Sequence, residues 1–325
     1  MFFLSFRPFR QQGIAFPFLV ESNAFAGAFG AAHSYVRVDG RVMYGPIQHE
    51  YLDMLRLLAG WYADGLINPS IEEPNRGRNW IEVAGKSGAV VGSFGLADFF
   101  GPLDYIPAPF PKLSESDTGY RAIGSRLNAV NDGFGAAVSS KSVFPEEAVR
   151  WLDTAYGEYG NVLFNFGIED ASFVYEGGKP VLMDELRGML PDSFGRIKAA
   201  KLHRYSRGLV GGPFVLSSDL VQQQFIAAFD TDLDIWESWT ENAYEPVTHI
   251  LNMYPQLAVE FQRLNWPIEQ HFLVNFAAFV TGQRSLDEFD AFVREIRGMG
   301  GNETVDILDR AWSSYENKYI PGIGR

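Results

Sequence analysis

The sequence predicts an α/β protein whose C-terminal part is helical. Short strand patterns alternate with helical patterns in the first half of the 325-residue chain, and helical patterns dominate from about residue 191. Two hairpins are marked by their turn residues: Asp39-Gly40 separates the alternating segments 35–38 and 41–44, and Gly177-Gly178 lies inside 173–181. The order of these elements, rather than any single motif, predicts the fold class.

A helix is predicted after the first hairpin. The apolar residues Tyr51, Met54, Leu55 and Leu58 fall on one helical face, and Gly65 ends that helix. A buried strand is predicted at 88–92.

A strand-to-helix step is predicted between residues 135 and 155. Residues 135–139 are strand-like, and Pro145 then opens a helix whose early acidic residues complement the helix dipole. Its predicted buried face consists of Ala148, Trp151, Leu152 and Ala155.

Two amphipathic helices joined by a tight turn are predicted near the C-terminus. An apolar segment at 272–280 ends at Gly282, and Ser285 with Glu288 forms a capping-box pattern before the next helix, which ends in the cluster Gly298 to Gly301. Glycine and proline breaks are expected at 208–213 and at three prolines, Pro246, Pro255 and Pro267.

Composition bounds the class of protein. With 46% hydrophobic and 15% aromatic residues, the chain has enough apolar material for one large domain or two domains. A net charge of -13 disfavours nucleic acid and anionic lipid surfaces as partners. No apolar run reaches the length of about 18 residues that a membrane-spanning helix needs.

The residue inventory argues against several kinds of chemistry. The chain has no cysteine, which removes disulfides, thiolate catalysis and thiolate metal sites. Its histidines are scattered without ligand-pair spacing, and neither a phosphate-binding glycine loop nor a Gly-x-Ser-x-Gly elbow occurs. We therefore expect no cofactor and no metal.

Several segments, taken in order, resemble one family. They are 39–45 (DGRVMYG), 61–69 (WYADGLINP), 85–88 (GKSG), 139–153 (SSKSVFPEEAVRWLD), 166–170 (FGIED) and the C-terminal helix pair. They are similar to the extracellular solute-binding proteins (family 1) of carbohydrate ABC transporters, in particular the large lipoprotein branch of Gram-positive bacteria. Asp170 departs from the pattern, which usually has glycine after the glutamate.

The resemblance implies a periplasmic-binding-protein-like (type II) architecture of two α/β lobes. The chain resembles the family's C-terminal two-thirds, so the first-lobe N-terminal segment is expected to be missing. If the chain begins at Met1, sugar binding is expected to be weak or absent. The implied division is 1–110 for the α/β part of the second lobe, 111–168 for the crossing and partial first lobe, and 169–325 for a hairpin and the helical part. Some relatives bind calcium in an aspartate-rich loop just before the segment matching 13–17, and residues 10–12 (RQQ) do not supply those carboxylate oxygens.

The resemblance also implies a function. The protein would be the oligosaccharide-binding component of an ABC importer, not an enzyme, acting outside the cytoplasm as a monomer. It would capture its ligand by lobe closure and deliver it to ABC permease subunits. A lipoprotein anchor is expected if a signal precedes this chain.

Sugar recognition needs flat apolar faces for pyranose rings and planar polar groups for hydroxyls, so aromatic residues beside carboxylates or amides are its signature. Each aromatic candidate has ordinary packing as its alternative, and the acidic pair Glu169-Asp170 has a solvated corner as its alternative. The predicted ligand-binding residues are Phe25, Phe94, Trp236, Trp239, Glu169 and Asn128. The sequence does not identify which sugar is bound.

The sequence also allows two other functions. A glycoside hydrolase needs two carboxyl groups across the glycosidic bond, and the sequence does not exclude Glu169 with Glu237 as such a pair. A truncated binding protein without transport activity is the other.

Overall fold

The computed structural model describes residues 2–5, 25–67, 87–90, 108–118, 135–187, 201–208, 212–229, 233–238, 245–247, 251 and 254–319. The strands and α-helices in chain order are β1 (Phe2–Ser5), β2 (Tyr35–Val38), β3 (Arg41–Tyr44), α1 (His49–Ala63), β4 (Ser87–Val90), α2 (Pro145–Asp153), α3 (Glu158–Asn165), β5 (Phe173–Glu176), β6 (Lys179–Leu182), α4 (Ser218–Phe229), α5 (Leu233–Ser238), β7 (Glu245–Pro246), α6 (Pro255–Thr281), α7 (Phe289–Gly298) and α8 (Gly301–Tyr319). This mixed, helix-rich order agrees with the predicted α/β class.

The chain forms two compact units. The first comprises Met1–Ser93, Phe110–Gly124 and Ser238–Arg325, and the second comprises Phe94–Pro109 and Ser125–Glu237. Each unit therefore contains segments that are distant in sequence. The three-part division implied by the resemblance stays a prediction.

A three-stranded antiparallel sheet lies in the first unit. Its order is β3-β2-β7, with Tyr35 opposite Tyr44 in the predicted hairpin and Val36 opposite Pro246. The hairpin is confirmed, and Pro246 lies in a short strand at the sheet edge, where a missing N–H group is tolerated. Strands β1 and β4 form a separate parallel pair, which confirms a strand in the predicted 88–92 region.

The core of the first unit lies between α1 and the C-terminal helices. Met54, Leu55 and Leu58 are buried on the predicted face of α1, and Phe272 and Phe276 are buried on α6. These apolar residues recur at helical spacing, so folding places both stripes against the same core.

Helix α8 is joined to the sheet by polar contacts. The Tyr35 hydroxyl lies 2.8 Å from Thr304 Oγ1, and the Val42 N–H donates to Asp309 Oδ1 at 3.0 Å. Arg37 forms an ion pair with Glu316, which stabilises the same face of α8. The C-terminal helix is thus part of the core-bearing unit.

Helix α6 differs from its prediction at one proline. Pro255 begins the helix, as its missing N–H group allows, but Pro267 lies inside a continuous 27-residue helix. The prediction of a break at Pro267 is wrong. Ile268 and Phe272, both buried in the core beyond the proline, hold the helix together through tertiary packing.

The turn between α6 and α7 follows its prediction in part. Gly282 ends α6 in the left-handed region with φ 77°, and the Ser285 hydroxyl accepts the Asp287 N–H at 3.2 Å. The Glu288 carboxylate lies 3.6 Å from Arg284 Nε. Ser285 is therefore the N-cap, and Glu288 contacts a guanidinium.

The second unit has a smaller core behind the β5-β6 hairpin. The predicted Gly-Gly hairpin is confirmed, with Phe173 opposite Leu182. Both residues are buried together with Phe166, Leu186 and Leu202. This cluster supports the turn that follows α3.

The predicted strand-to-helix step is correct only for the helix. Residues 135–139 form no strand in the described structure, and α2 begins at Pro145 as predicted. Trp151, predicted to be buried, is 73% exposed, whereas Ala155 is buried. The burial of Trp151 was a wrong prediction, because α2 has no neighbour on that side among the described residues.

Candidate functional site

The turn from α3 to β5 presents two of the acidic residues singled out by the sequence. Glu169 and Asp170 are both exposed there, and Glu169 forms an isolated backbone bridge to Phe173. The Asp170 N–H donates to the carbonyl of Phe173 at 2.9 Å, and Asp170 has φ 60°. The turn fixes the backbone that carries both carboxylates.

Gly167 is required at the start of this turn. Its φ is 94°, and a Cβ atom there would lie 2.6 Å from Ser172 Oγ and 2.9 Å from the carbonyl oxygen of Tyr205. No side chain fits in that space without moving the backbone of Tyr205, and only glycine adopts this φ without strain. The backbone at residue 167 therefore lies directly against Tyr205.

Ser172 ties the two ends of the turn together. Its hydroxyl accepts the Ile168 N–H at 2.8 Å and lies 2.7 Å from the Phe166 carbonyl oxygen, to which it donates. Ser172 is fully buried, so these bonds are shielded from water. They fix the position of Glu169, which lies between the bonded residues in sequence.

Asn165, the last residue of α3, anchors the start of the turn through hydrogen bonds. Its side-chain amide donates to the carbonyls of Asn161 and Val215, each at 2.8 Å, and its oxygen accepts the Ser217 N–H at 2.9 Å. Asn165 is fully buried, and every bond is made to backbone. Such satisfied buried groups preorganise the exposed residues above them.

The exposed surface of the turn combines polar and apolar groups. Ile168 is 55% exposed and Tyr205 37% exposed. Ile168 precedes Glu169 in sequence, and the carbonyl oxygen of Tyr205 lies against Gly167 at the start of the turn. Carboxylates accept hydrogen bonds from hydroxyl groups, and the apolar surface suits C–H groups. We call Ile168, Glu169, Asp170 and Tyr205 the acidic turn.

Phe25 occupies a packed position. Its ring meets that of Trp61 edge to face, with centroids 5.7 Å apart and an interplanar angle of 85°. It precedes a short 3-10 helix, Ala26–Phe29, and packs against the core of the first unit. Its role as a ligand contact stays a prediction.

The remaining predicted ligand residues are placed only in part. Trp236 belongs to α5, and the next residue, Glu237, is exposed. The structure does not describe the side chain of Trp236. Phe94, Asn128 and Trp239 lie outside the described residues. The predicted set is therefore not brought together as one site by the described structure.

The described residues contain neither a metal-binding cluster nor a membrane-spanning helix. Within these ranges, no group of three or more histidine, aspartate or glutamate side chains is arranged to hold a metal ion. No helix among them is both long and apolar enough to cross a membrane. The residues 10–12 considered for calcium are outside the description.

Sequence reasoning missed the residues that build the acidic turn. Asn165 and Tyr205 were not predicted, because their contacts join positions up to about fifty residues apart in sequence. Ser172 was not predicted either, although its partners Phe166 and Ile168 lie within six residues. One local signal existed: a glycine directly after the helix end at Phe166 is typical of a left-handed turn.

No family profile and no curated protein sequence matches the chain. Solved structures do match. The chain is similar to an HMO-binding, ABC-transporter-associated solute-binding protein from Bifidobacterium longum infantis, with a TM-score of 0.59 and 14% identity over 96% of this chain and 64% of that one.

Two further structures are similar over the same extent. The S. pneumoniae ABC-transporter substrate-binding protein FusA, an EF-hand mutant in complex with fructo-nystose, gives a TM-score of 0.58 at 15% identity, over 97% of this chain and 63% of that one. The alginate-binding protein AlgQ2 without calcium ion gives 0.52 at 16% identity, over 96% and 64%. The chain therefore shares the fold of two-lobe solute-binding proteins and spans about 64% of their length.

Proposed function

We propose that this protein is the oligosaccharide-binding component of a carbohydrate ABC importer. The observation that carries the proposal is the likeness of at least 96% of the chain to solute-binding proteins that bind an HMO, fructo-nystose and alginate. All three ligands are carbohydrates. Fold alone does not assign a function, so the residues must supply the rest.

The acidic turn supplies a physical basis for sugar contact. Glu169 and Asp170 accept hydroxyl hydrogen bonds, and Ile168 and Tyr205 are exposed and provide apolar surface. The buried bonds of Ser172 and Asn165 hold this surface in one conformation, which lowers the ordering cost of binding. We propose the acidic turn as one part of the ligand site.

The remaining elements of the proposal concern mechanism and location. The protein captures its ligand by lobe closure outside the cytoplasm and delivers it to permease subunits as a monomer. It is a membrane-anchored lipoprotein if a signal precedes this chain. Phe25, Phe94, Trp236, Trp239 and Asn128 remain proposed ligand contacts.

Thermal unfolding with and without sugars tests the function. Fructo-nystose and alginate oligosaccharides are the probes, and a saturable rise in Tm is expected, since a ligand at 100 times its Kd stabilises by about 2.7 kcal/mol. If none of the probes raises Tm at millimolar concentrations, the proposal is contradicted.

The same samples distinguish a binder from a glycoside hydrolase. A hydrolase releases shorter products, whereas a binder returns the oligosaccharide unchanged.

The double change E169Q/D170N should weaken binding by about tenfold without altering urea unfolding, because both side chains are exposed. The matched control is Glu158→Gln, another exposed acid in the second unit, which should leave binding unchanged.

A further inference from the structure

Basic side chains flank Tyr205, which belongs to the acidic turn. Lys201, Arg204 and Arg207 are all exposed, and Tyr205 lies between the two arginines in sequence. The Tyr205 carbonyl oxygen lies 2.9 Å from the point where a Cβ atom on Gly167 would stand, at the start of the acidic turn. We call Lys201, Arg204 and Arg207 the basic turn.

The backbone of the basic turn is fixed to the end of α3. The Arg207 N–H donates to the carbonyl of Phe164 at 2.7 Å. Gly208 lies against Asn165, because a Cβ atom at residue 208 would be 2.9 Å from the Asn165 carbonyl oxygen. Leu202 is fully buried in the core of the second unit. The segment that carries the basic turn and the segment that leads into the acidic turn are therefore held together.

The three cations of the basic turn form no ion pair with any residue that the structure describes. Elsewhere in the second unit Arg150, Lys179 and Arg187 do form ion pairs with nearby acids. Glu169 and Asp170, like the basic turn, form none within the described ranges. The charges of both turns are thus available to an external molecule.

Two polar groups of the same short segment also lack a hydrogen-bond partner. Ser206 is 4% exposed and its hydroxyl has no partner, and the same holds for Nε2 of His203. The Ser206 N–H donates to the Leu202 carbonyl at 2.9 Å, so the segment is helical and residues 203 and 206 share one side of it. Burial, and then the charge of Arg207, lower the pKa of His203, so its ring is neutral at pH 7. Buried polar groups without a protein partner are typically satisfied by water or an ion.

We propose that the basic turn binds the carboxylate of a uronate-containing oligosaccharide. A guanidinium donates two parallel hydrogen bonds to a carboxylate, a geometry that Arg204 and Arg207 can supply. The hydroxyl groups of the same ligand then donate to Glu169 and Asp170. The inference rests on the proposed function and assigns the chemical class of the ligand.

Charge also limits the size of this ligand. The net charge of -13 repels a long polyanion, whereas the arginines act at contact distance. Charge-assisted hydrogen bonds are about twice as strong as neutral ones, and the repulsion from distant acids is screened beyond about 8 Å at physiological ionic strength. We therefore expect a short oligosaccharide with few carboxylates.

Calorimetry on the full chain tests the proposal. The probes are a mannuronate trisaccharide and the same trisaccharide with its carboxylates reduced to primary alcohols, so that the two differ in charge and not in ring structure. The acid form should bind about tenfold more tightly at low salt, and this ratio should fall in about 0.5 M salt. The salt dependence needs no variant.

The outcomes separate this inference from the proposed function. Equal or tighter binding of the reduced trisaccharide overturns the inference and leaves the proposed function standing. If neither form binds, and fructo-nystose does not bind either, the proposed function is contradicted and the inference with it.

One double variant and one peptide complete the test. R204Q/R207Q should bring the affinity ratio of acid to reduced trisaccharide close to one, whereas Lys141→Gln, at another exposed cation of the second unit, should leave the ratio unchanged. A triglutamate peptide carries carboxylates without sugar rings and should bind about tenfold more weakly than the mannuronate trisaccharide. An unchanged ratio in R204Q/R207Q, or equal binding of the peptide, overturns the proposal.

Discussion

Ser172 Oγ lies 2.6 Å from the point where a Cβ atom on residue 167 would stand, so the hydroxyl that closes the acidic turn fills the space a side chain would need. The same hydroxyl accepts the Ile168 N–H and donates to the Phe166 carbonyl. Glycine at 167 and serine at 172 are therefore coupled: the first leaves the space, and the second uses it to hold the turn.

Gly167→Ala should destabilise the protein by about 2–4 kcal/mol. A left-handed conformation costs alanine about 1–2 kcal/mol, and the contact with the Tyr205 carbonyl adds a steric cost. Urea unfolding measures the difference. Gly178→Ala is the matched control, because Gly178 has φ 81° with no atom within 4 Å of its Cβ position, and it should lose only about 1 kcal/mol. Equal losses in both variants would contradict the steric argument.

Phe276→Ala should cost about 3–5 kcal/mol, because Phe276 is 1% exposed and lies in the aromatic core between α1 and α6. Val274→Ala on the same helix is the control. Val274 is 67% exposed, so its truncation should change the free energy of unfolding by less than about 0.5 kcal/mol. A comparable loss at 274 would show that this side of α6 is covered.

His33 should make stability fall as the pH drops below about 6.5. Burial lowers the pKa of His33 to about 3, so the folded protein keeps the ring neutral, 2.6 Å from the Tyr51 hydroxyl, while the unfolded chain protonates it. Between these two pKa values the unfolded state binds more protons, and stability therefore rises with pH at up to about 1.4 kcal/mol per pH unit.

Urea unfolding at pH 4.5 to 7 checks this slope. His33→Gln should flatten it relative to wild type, whereas His49→Gln, at an exposed position, should not. NMR of the wild-type His33 ring provides an independent readout if His33→Gln folds poorly. A ring that titrates near pH 6 in the folded protein contradicts the prediction.

Glu295 should contribute stability at neutral pH that is lost in acid. Arg284 donates to both of its oxygens, at 3.0 and 2.9 Å, and His271 lies 2.8 Å from Oε2. The Arg284 hydrogen bonds lower the pKa of Glu295, so the stabilisation is present above the unfolded-state pKa and is lost as the pH falls through the lower folded-state value.

Glu295→Gln should therefore cost a few tenths to about 1 kcal/mol at pH 7, the range for partly exposed ion pairs. The difference from wild type should shrink below about pH 4 and in high salt. Glu115→Gln, an exposed acid outside the helices, serves as the control and should show no such dependence. A cost for Glu295→Gln that is independent of pH would assign its role to packing.

The acidic turn shows where sequence reasoning stopped. The segment 166–170 was predicted as a turn with acidic residues, and the structure places Glu169 and Asp170 there, both exposed. The residues that fix the turn were not predictable, because Asn165 bonds to Val215 and Ser217, and Gly167 packs against Tyr205. No periodicity or motif links those positions.

By itself the sequence determined the elements whose cause is local. The Asp39-Gly40 and Gly177-Gly178 hairpins, the left-handed end of α6 at Gly282 and the start of α2 at Pro145 all follow from the φ preference of one or two residues. Tertiary structure alone decided that α6 continues through Pro267 and that Trp151 faces outward. The physical reason is that helix continuity past a proline and the burial of a side chain both depend on which distant residues pack against the helix, and the spacing of apolar residues within it does not contain that information.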